Sequence, residues 1–386
     1  MKYTLMRKDN CLATVEIGNT GLIKVYEVEE NKKELLPLCQ TKDITNELRK
    51  WWNDRAIPLT QCGIQNNFKP NGAALPSEYL QKNLGLSLTD YYWVNPIDSN
   101  LTWSQVSLFR NDFNTKKNFE KEESEEGKFS PNASLLGNLE KYWNIDKSGK
   151  RVLIKGNSDK LSREAINEVI VSEINRLQGY DNYVTYNLLD VDNRIYKLAC
   201  SCEDFSDEDN EFISAISVIE SKKKRNEINY LEHFKNICEE HGMDRGQLQY
   251  DLDYMLFMDF IISNTDRHWN NFGIIRDAKT LKFKRLAPIF DSGNSFFVKE
   301  VVPRSLKEIT GIEINSIKKT EKQQLELIED KTIIDMSKIP SGSFVSEQYR
   351  RDEIMNEQGK ELINAIAEAY EKKIKIAQNV QQGDLK

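Results

Sequence analysis

Apolar and polar positions alternate in three short runs at the start of the chain, residues 3–6, 12–17 and 22–28. A period of two, with Asn19-Thr20-Gly21 between the second and third runs, predicts a small antiparallel sheet. The period then lengthens. Residues 41–52 place Leu48, Trp51 and Trp52 on one side of a predicted helix. Residues 76–84 predict another, with Pro76 in the first turn and Gly85 as its stop. Residues 1–112 therefore read as one small α+β module. A run almost devoid of apolar residues follows, ending Glu122-Glu123-Ser124-Glu125-Glu126-Gly127-Lys128, and residues 113–127 read as a solvated linker.

A second pattern begins after it. Residues 138–145 and 150–154 predict two strands joined by the turn Asp146-Lys147-Ser148-Gly149. Residues 162–178 predict a helix, with Ser162 as N-cap and Gly179 as C-terminal stop. A hairpin is expected from residues 183–189 and 195–200. From about Asp207 the helical period dominates. Asp244 is placed to cap a long apolar helix running through Leu248, Leu252, Met255, Leu256, Asp259 and Phe260. Short strands are expected at 272–275 and 283–286, and closing helices at 320–328 and 357–376. Residues 128–206 thus form a strand-rich unit, and residues 207–386 a mainly helical one.

At 386 residues, with 39% apolar and 10% aromatic side chains, the chain can bury a sizeable core, which excludes disorder for most of it. Its net charge of −7 argues against a non-specific nucleic-acid binder. No apolar stretch approaches the roughly 20 residues of a membrane span, and the first residues lack the apolar core of a signal peptide. The cysteines, Cys11, Cys39, Cys62, Cys200, Cys202 and Cys238, are scattered and read as reduced, which suggests a cytoplasmic protein.

The chemistry concentrates in Ser263-Asn264-Thr265-Asp266-Arg267-His268-Trp269-Asn270-Asn271-Phe272-Gly273-Ile274, between a long apolar helix and a short strand. Leu286-Ala287-Pro288-Ile289-Phe290-Asp291-Ser292-Gly293 follows, with Asp291 between an apolar run and a Gly turn. Phosphoryl transfer needs these residue types in this order. One carboxylate orients the attacking hydroxyl; a second carboxylate and an Asn carbonyl hold a divalent cation on the phosphates. Asp266 and Asn271 have the five-residue spacing of a kinase catalytic loop, and Asp291 stands where the metal carboxylate would follow. Upstream, Lys155 ends the strand Val152-Leu153-Ile154-Lys155, and Glu168 lies in the next helix as its candidate partner, with Glu173 as a rival. His268 reads either as a second acid/base or as a structural residue that holds the loop. His233 and His241 read as surface residues on an exposed helix. Cys200-Ser201-Cys202 lacks a second pair at zinc spacing and reads as two strand-end thiols on opposite faces.

These two segments, with Asn167-Glu168 opening an apolar helix and Lys155 in the strand before it, resemble the HipA-like serine/threonine kinases. Asp-Arg-His-x-x-Asn is also similar to the signature of the phosphatidylinositol 3/4-kinases. The match is tight from about Lys150 to Phe297. The resemblance implies a two-lobed α+β fold: an N-terminal module at 1–112, an N-lobe at 128–206 and a helical C-lobe at 207–386. It implies ATP with Mg²⁺ or Mn²⁺ and a protein Ser/Thr substrate, and it admits a toxin-type regulator with an antitoxin-type protein partner. It assigns Asp266, supported by His268, to catalysis, Asn271 and Asp291 to the metal, and Lys155 with Glu168 to ATP. By position it places the strand end at Cys200, Cys202, Glu203 and Phe205 beside the adenine. Residues 129–141, ahead of the Lys strand, hold a single glycine, Gly137; Ser130 and Ser134 fall where HipA carries a regulatory phosphoserine. The rival readings are a lipid or small-molecule kinase, and a non-catalytic nucleotide-binding pseudokinase acting as an interaction module.

Overall fold

Three strands open the chain, β1 (Lys2–Arg7), β2 (Asn10–Gly18) and β3 (Gly21–Val28), paired antiparallel as their alternation predicts. The computed structural model describes residues 1–38, 43–61, 75–115, 128–193, 195–299, 301–305, 308–309 and 311–383. Cys39, Cys62, the first two residues of the predicted helix at 41–52 and most of the predicted linker lie outside the described residues. Helix α1 (Ile44–Arg55) is capped by Asp43, whose carboxylate accepts from the Asn46 amide, and buries Leu48 and Trp52 against the sheet. Helix α2 (Pro76–Lys82) follows, and then β4 (Tyr92–Pro96), which completes the sheet in the order β3-β2-β1-β4.

After the short helix α3 (Trp103–Val106), a second antiparallel sheet forms from β5 (Lys141–Ile145), β6 (Arg151–Lys155), β7 (Tyr186–Asp190) and β8 (Leu198–Glu203), in the order β5-β6-β8-β7. Helix α4 (Glu164–Gln178) lies between β6 and β7 in sequence and packs Ala165 with Val184, Tyr186, Cys200 and Cys202. Its stop is Gly179, at φ +73°, where a left-handed turn favours glycine. Its start differs from expectation. Ser162 shares a hydrogen bond with Ser158 instead of capping, and the Ala165 amide is taken by Asn157 Oδ1 at 2.9 Å.

The chain beyond Asp207 is not purely helical at its start. Residues Asn210–Ser214 form β9, which pairs with β10 (Gly273–Asp277), itself paired with β11 (Phe283–Leu286). Between β9 and β10 run α5 (Ala215–Glu220), α6 (Tyr230–Glu240) and α7 (Arg245–Ile262), the last capped by Asp244 as predicted. Later helices, Glu321–Leu325, Gly342–Tyr349 and Lys360–Gln381, share one core with α4 and α7 through Ile170, Ile174, Leu252, Leu256, Tyr349 and Ile366. The N-terminal sheet docks on β9 and β10 through a buried cluster. Glu211 accepts from Arg7 at 2.6 Å and from Arg276 at 2.8 Å, and Arg276 also reaches Tyr92. The chain is therefore a mixed α+β protein. No helix among the described residues is long and apolar enough to cross a membrane.

Two side-chain expectations are corrected. His233 is buried on α6, with Nε2 between the carbonyls of Ile219 and Lys222 at 3.2 and 3.0 Å. His241 is half-buried and stacks on Phe283. Cys200 and Cys202, two apart on β8, share one face and are both buried, since successive side chains alternate along a strand.

Candidate active site

The site forms where β6, α4 and the turn after β11 converge. Lys155 closes β6. Its Nζ donates to Glu168 Oε1 and to Asp291 Oδ1, each at 2.9 Å, and to the Tyr186 hydroxyl at 3.2 Å. Burial alone would lower the Lys155 pKa, but Asp291 and Glu168 raise it well above the usual lysine value, so the ammonium stays charged. Burial pushes the Glu168 carboxyl up, opposed by Lys155 and by the Ser292 amide, which donates to its Oε2 at 2.9 Å. Burial also acts to raise Asp291, yet Lys155, then Lys141, hold it well below the ordinary carboxylate range. Glu173, the rival for Lys155, is on the outside of α4 and pairs with Arg176 at 2.6 Å.

Several contacts fix the Asp291 turn against α4. Asn167 Nδ2 donates to the carbonyls of Gly293 and Ser295, both at 2.8 Å. Gly293 approaches the helix so closely that a Cβ there would meet the Glu164 carbonyl oxygen at 3.1 Å. Asp291 itself takes a left-handed backbone, φ +57°, a conformation that Asp tolerates better than bulkier residues.

The Asp266 loop leaves α7 at Ser263, also left-handed, φ 51°. Asn264 turns the chain by donating to Asp259 Oδ1 at 2.8 Å and accepting from the Asp266 amide at 3.2 Å. Asp266 is partly exposed, with both carboxylate oxygens engaged: Oδ1 accepts from Asn315 Nδ2 at 2.8 Å, and Oδ2 from Asn294 Nδ2 at 2.7 Å. Asn271 donates its Nδ2 to the Asp266 carbonyl at 2.9 Å, which ties the two ends of the loop. His268 keeps to its own loop, where Nδ1 accepts from the Asn270 amide at 3.2 Å.

Arg267 joins this loop to the Asp291 turn, a role that the sequence reading missed. The guanidinium is wholly buried and forked against Asp259, and it donates to the carbonyls of Asn271 and Phe290 and to Ser292 Oγ. Its sequence signal was Asp259, the single carboxylate in the apolar stretch Tyr254–Ile262 that ends α7. Lys141 was also missed. It sits opposite Lys155 in the β5–β6 register, half-buried, and burial pushes its ammonium down to about 8 while Asp291 pulls the other way.

Lys155, Glu168 and Asp291 are thus in direct contact, and Asp266 and Asn271 are linked to them through Arg267. The β8 residues are less uniform. Cys200 faces Lys155 across the β6–β8 register, Glu203 is exposed and paired with Lys150 at 2.7 Å, and Phe205 packs with Phe212 and Phe290. Ser130 is buried and caps the turn Pro131–Ser134, and Ser134 Oγ donates to the Pro131 carbonyl at 3.1 Å.

The donor set fits a hard divalent cation. Asn271 Oδ1 and Asp291 Oδ2 are oxygen atoms with no hydrogen-bond donor among the described residues, and Asp291 is held ionised. Among the described residues no cluster of three or more His, Cys, Asp or Glu side chains could hold a metal by itself. A cation would complete its shell with phosphate oxygens and water, as Mg²⁺ does in nucleotide sites.

No family model matches the chain, and no curated protein does. Among solved structures it is similar to the proinflammatory kinase CtkA of Helicobacter pylori, with 18% identity over 63% of this chain and 94% of that one, at a TM-score of 0.46. It is also similar to the open conformation of CtTel1, with 15% identity over 62% of this chain and 11% of that one, at a TM-score of 0.26. At such scores the side-chain geometry has to carry the functional reading.

Proposed function

We propose that this chain is an ATP- and Mg²⁺-dependent kinase that transfers the γ-phosphate to a Ser or Thr hydroxyl of a protein. In this reading the α4-bearing sheet, residues 128–206, is the N-lobe and residues 207–386 are the helical C-lobe, as in HipA-like and phosphatidylinositol-kinase-like folds. One observation carries it: the Lys155 ammonium lies 2.9 Å from both Glu168 and Asp291. A buried lysine between a helix carboxylate and a turn carboxylate can hand a cation and a metal ligand to the same phosphates.

Asn271 and Asp291 would hold the metal, which when bound neutralises phosphate charge. Lys155 binds and orients the nucleotide phosphates, and Glu168 fixes both Lys155 and the Ser292 amide. The edge of β8, with Phe205 beside Phe290, offers the adenine a backbone edge and an apolar floor. Asp266 orients the acceptor hydroxyl and takes its proton as the hydroxyl oxygen attacks phosphorus. Catalysis is then positioning plus fixed charge. The test is transfer of labelled phosphate from ATP to a mixture of protein substrates with and without Mg²⁺. Metal-dependent label on Ser or Thr is expected, and binding of ATP without turnover in the intact chain would overturn the enzyme reading in favour of a nucleotide-binding module.

A further inference from the structure

The chain beyond the Asp291 turn comes back to Asp266. Residues 313–320 form a narrow hairpin, in which Glu313 bridges Thr320 antiparallel and the Ile314 amide donates to the Lys319 carbonyl at 2.9 Å. Three hydrogen bonds fasten this hairpin to the catalytic-loop candidate. The Asn315 amide donates to the Thr265 carbonyl at 2.8 Å, Asn315 Nδ2 to Asp266 Oδ1 at 2.8 Å, and Ser316 Oγ to the Arg267 carbonyl at 2.9 Å. Beside the hairpin opens a cavity of about 520 Å³, within the roughly 300–1,000 Å³ of ligand clefts. Its polar lining comes from Asn315, Ser316, Lys318, Lys319, Gln323 and Glu326.

The charge of this cavity runs against that of the chain. Net charge overall is −7, yet the cavity presents two lysines to one carboxylate. Neither Lys318 nor Lys319 has an ion-pair partner among the described residues, and a third lysine, Lys299, lies with Nζ 3.5 Å from Asp266 Oδ2. Apolar lining is confined to Ile314 and Ile317, too little for an acyl chain.

We infer that this cavity is the acceptor site, and that it takes a peptide segment whose Ser or Thr is flanked by Asp or Glu. The inference rests on the kinase reading of Asp266. Asn315 marks the acceptor position, because its amide occupies the Asp266 oxygen to which a substrate hydroxyl would donate. When the hydroxyl replaces that amide, its oxygen bonds to the γ-phosphorus and its proton passes to Asp266. The bond from the γ-phosphorus to the bridging oxygen breaks, and ADP leaves with that electron pair. Acidic flanking residues pair with Lys318 and Lys319, while the amides of Asn315 and Gln323 match a peptide backbone.

The test uses the intact chain and two peptides that share one serine and differ only in its neighbours, Asp/Glu in one and Lys/Arg in the other. With Mg²⁺ and labelled ATP, kcat/KM should be about five- to tenfold higher for the acidic peptide, the scale of a few solvent-screened ion pairs. That advantage should shrink as salt rises. In the double variant Lys318→Glu/Lys319→Glu the preference should invert, chiefly through KM for peptide. Equal use of both peptides, or a preference that survives the double variant, overturns the inference and leaves the kinase reading standing. Phosphorylation of lipid vesicles in place of either peptide also overturns it. Absence of transfer to every acceptor overturns the kinase reading itself, and the inference with it.

Discussion

Arg267 and Asp259 form a doubly bonded ion pair in the interior, Nε to Oδ2 at 2.9 Å and Nη2 to Oδ1 at 3.1 Å, with neither side chain more than 2% exposed. The remaining guanidinium donors reach the Asn271 and Phe290 carbonyls and Ser292 Oγ. Together with Asn294, which donates to Asp266 Oδ2 at 2.7 Å, this side chain sets the separation of the Asp266 loop and the Asp291 turn. Removing one partner leaves an uncompensated buried charge, so Arg267→Leu should cost about 3–5 kcal/mol in urea unfolding. Asp259→Leu/Arg267→Leu should recover much of that stability, because an apolar pair of similar volume carries no desolvation cost. It should not recover turnover, since the loop and turn lose their buried charged anchor. A double variant as active as wild type would show that Arg267 serves folding alone.

Lys155 and Glu168 should act as a unit. Lys155→Ala should lower turnover about 10²-fold or more, as loss of a preorganised charge does. Glu168→Ala should give part of that loss and add little in the double variant. A double-mutant cycle in kcat/KM measures the coupling, and strict additivity would separate the two residues. Glu173→Ala should be silent, because Glu173 pairs with Arg176 away from the site.

Asp291→Asn is nearly isosteric, but it removes the charge facing Lys155 and the carboxylate offered to a cation. The folded chain should survive with Mg²⁺-dependent ATP binding lost, measured by titration with and without EDTA. Wild-type turnover from this variant would refute the metal assignment.

Much of this site was legible because its chemistry sits at predictable punctuation. Lys155 ends a strand, Glu168 lies one turn into a helix, and Asp291 precedes a Gly turn. Arg267 has no role legible in the sequence, since nothing local shows that it faces Asp259 across the end of α7. Asn294 and Asn315 were invisible for a related reason: they reach Asp266 from 28 and 49 residues away. Strand β9, Asn-Glu-Phe-Ile-Ser, carries little intrinsic strand signal and exists by pairing with β10, some sixty residues on. The Cys200-Ser201-Cys202 expectation failed on period alone, because residues two apart on a strand share a face. Ser162 lost the cap of α4 to Asn157, whose side chain reaches the Ala165 amide from the preceding loop.

Lys141 supplies a pH test. Its ammonium sits near 8 in the folded chain, against 10.5 for an ordinary lysine. Between those values the unfolded chain binds more protons at this position, so its contribution makes native stability rise with pH from about 8 to 10.5. Below about pH 8 the native state carries the full cost of charging it. Lys141→Met should therefore be stabilised relative to wild type below pH 8, by at most about 3 kcal/mol, and the difference should shrink toward pH 10.5. Paired urea titrations across that range measure it, and a pH-independent difference would show that folding does not desolvate the Lys141 ammonium.

Asp266 should be the side chain without which phosphoryl transfer stops, with His268 in support. Its carboxylate is partly exposed and bordered by amide donors from Asn294 and Asn315, whereas the His268 ring accepts from the Asn270 amide within its own loop. Asp266→Ala should keep ATP affinity, because Lys155, Glu168 and Asp291 remain in place, while turnover falls about 10²–10⁴-fold, the share of a positioned acid–base group. Asp266→Asn should be nearly as slow although it retains the shape of the site, since an amide cannot take the hydroxyl proton. His268→Ala should lose less, together with a lower melting temperature from a loosened loop. Nucleotide titration, single-turnover transfer and thermal melts on the three variants distinguish the roles. Active Asp266→Ala beside inactive, stably folded His268→Ala would reverse the assignment, making His268 the base and Asp266 its orienting partner.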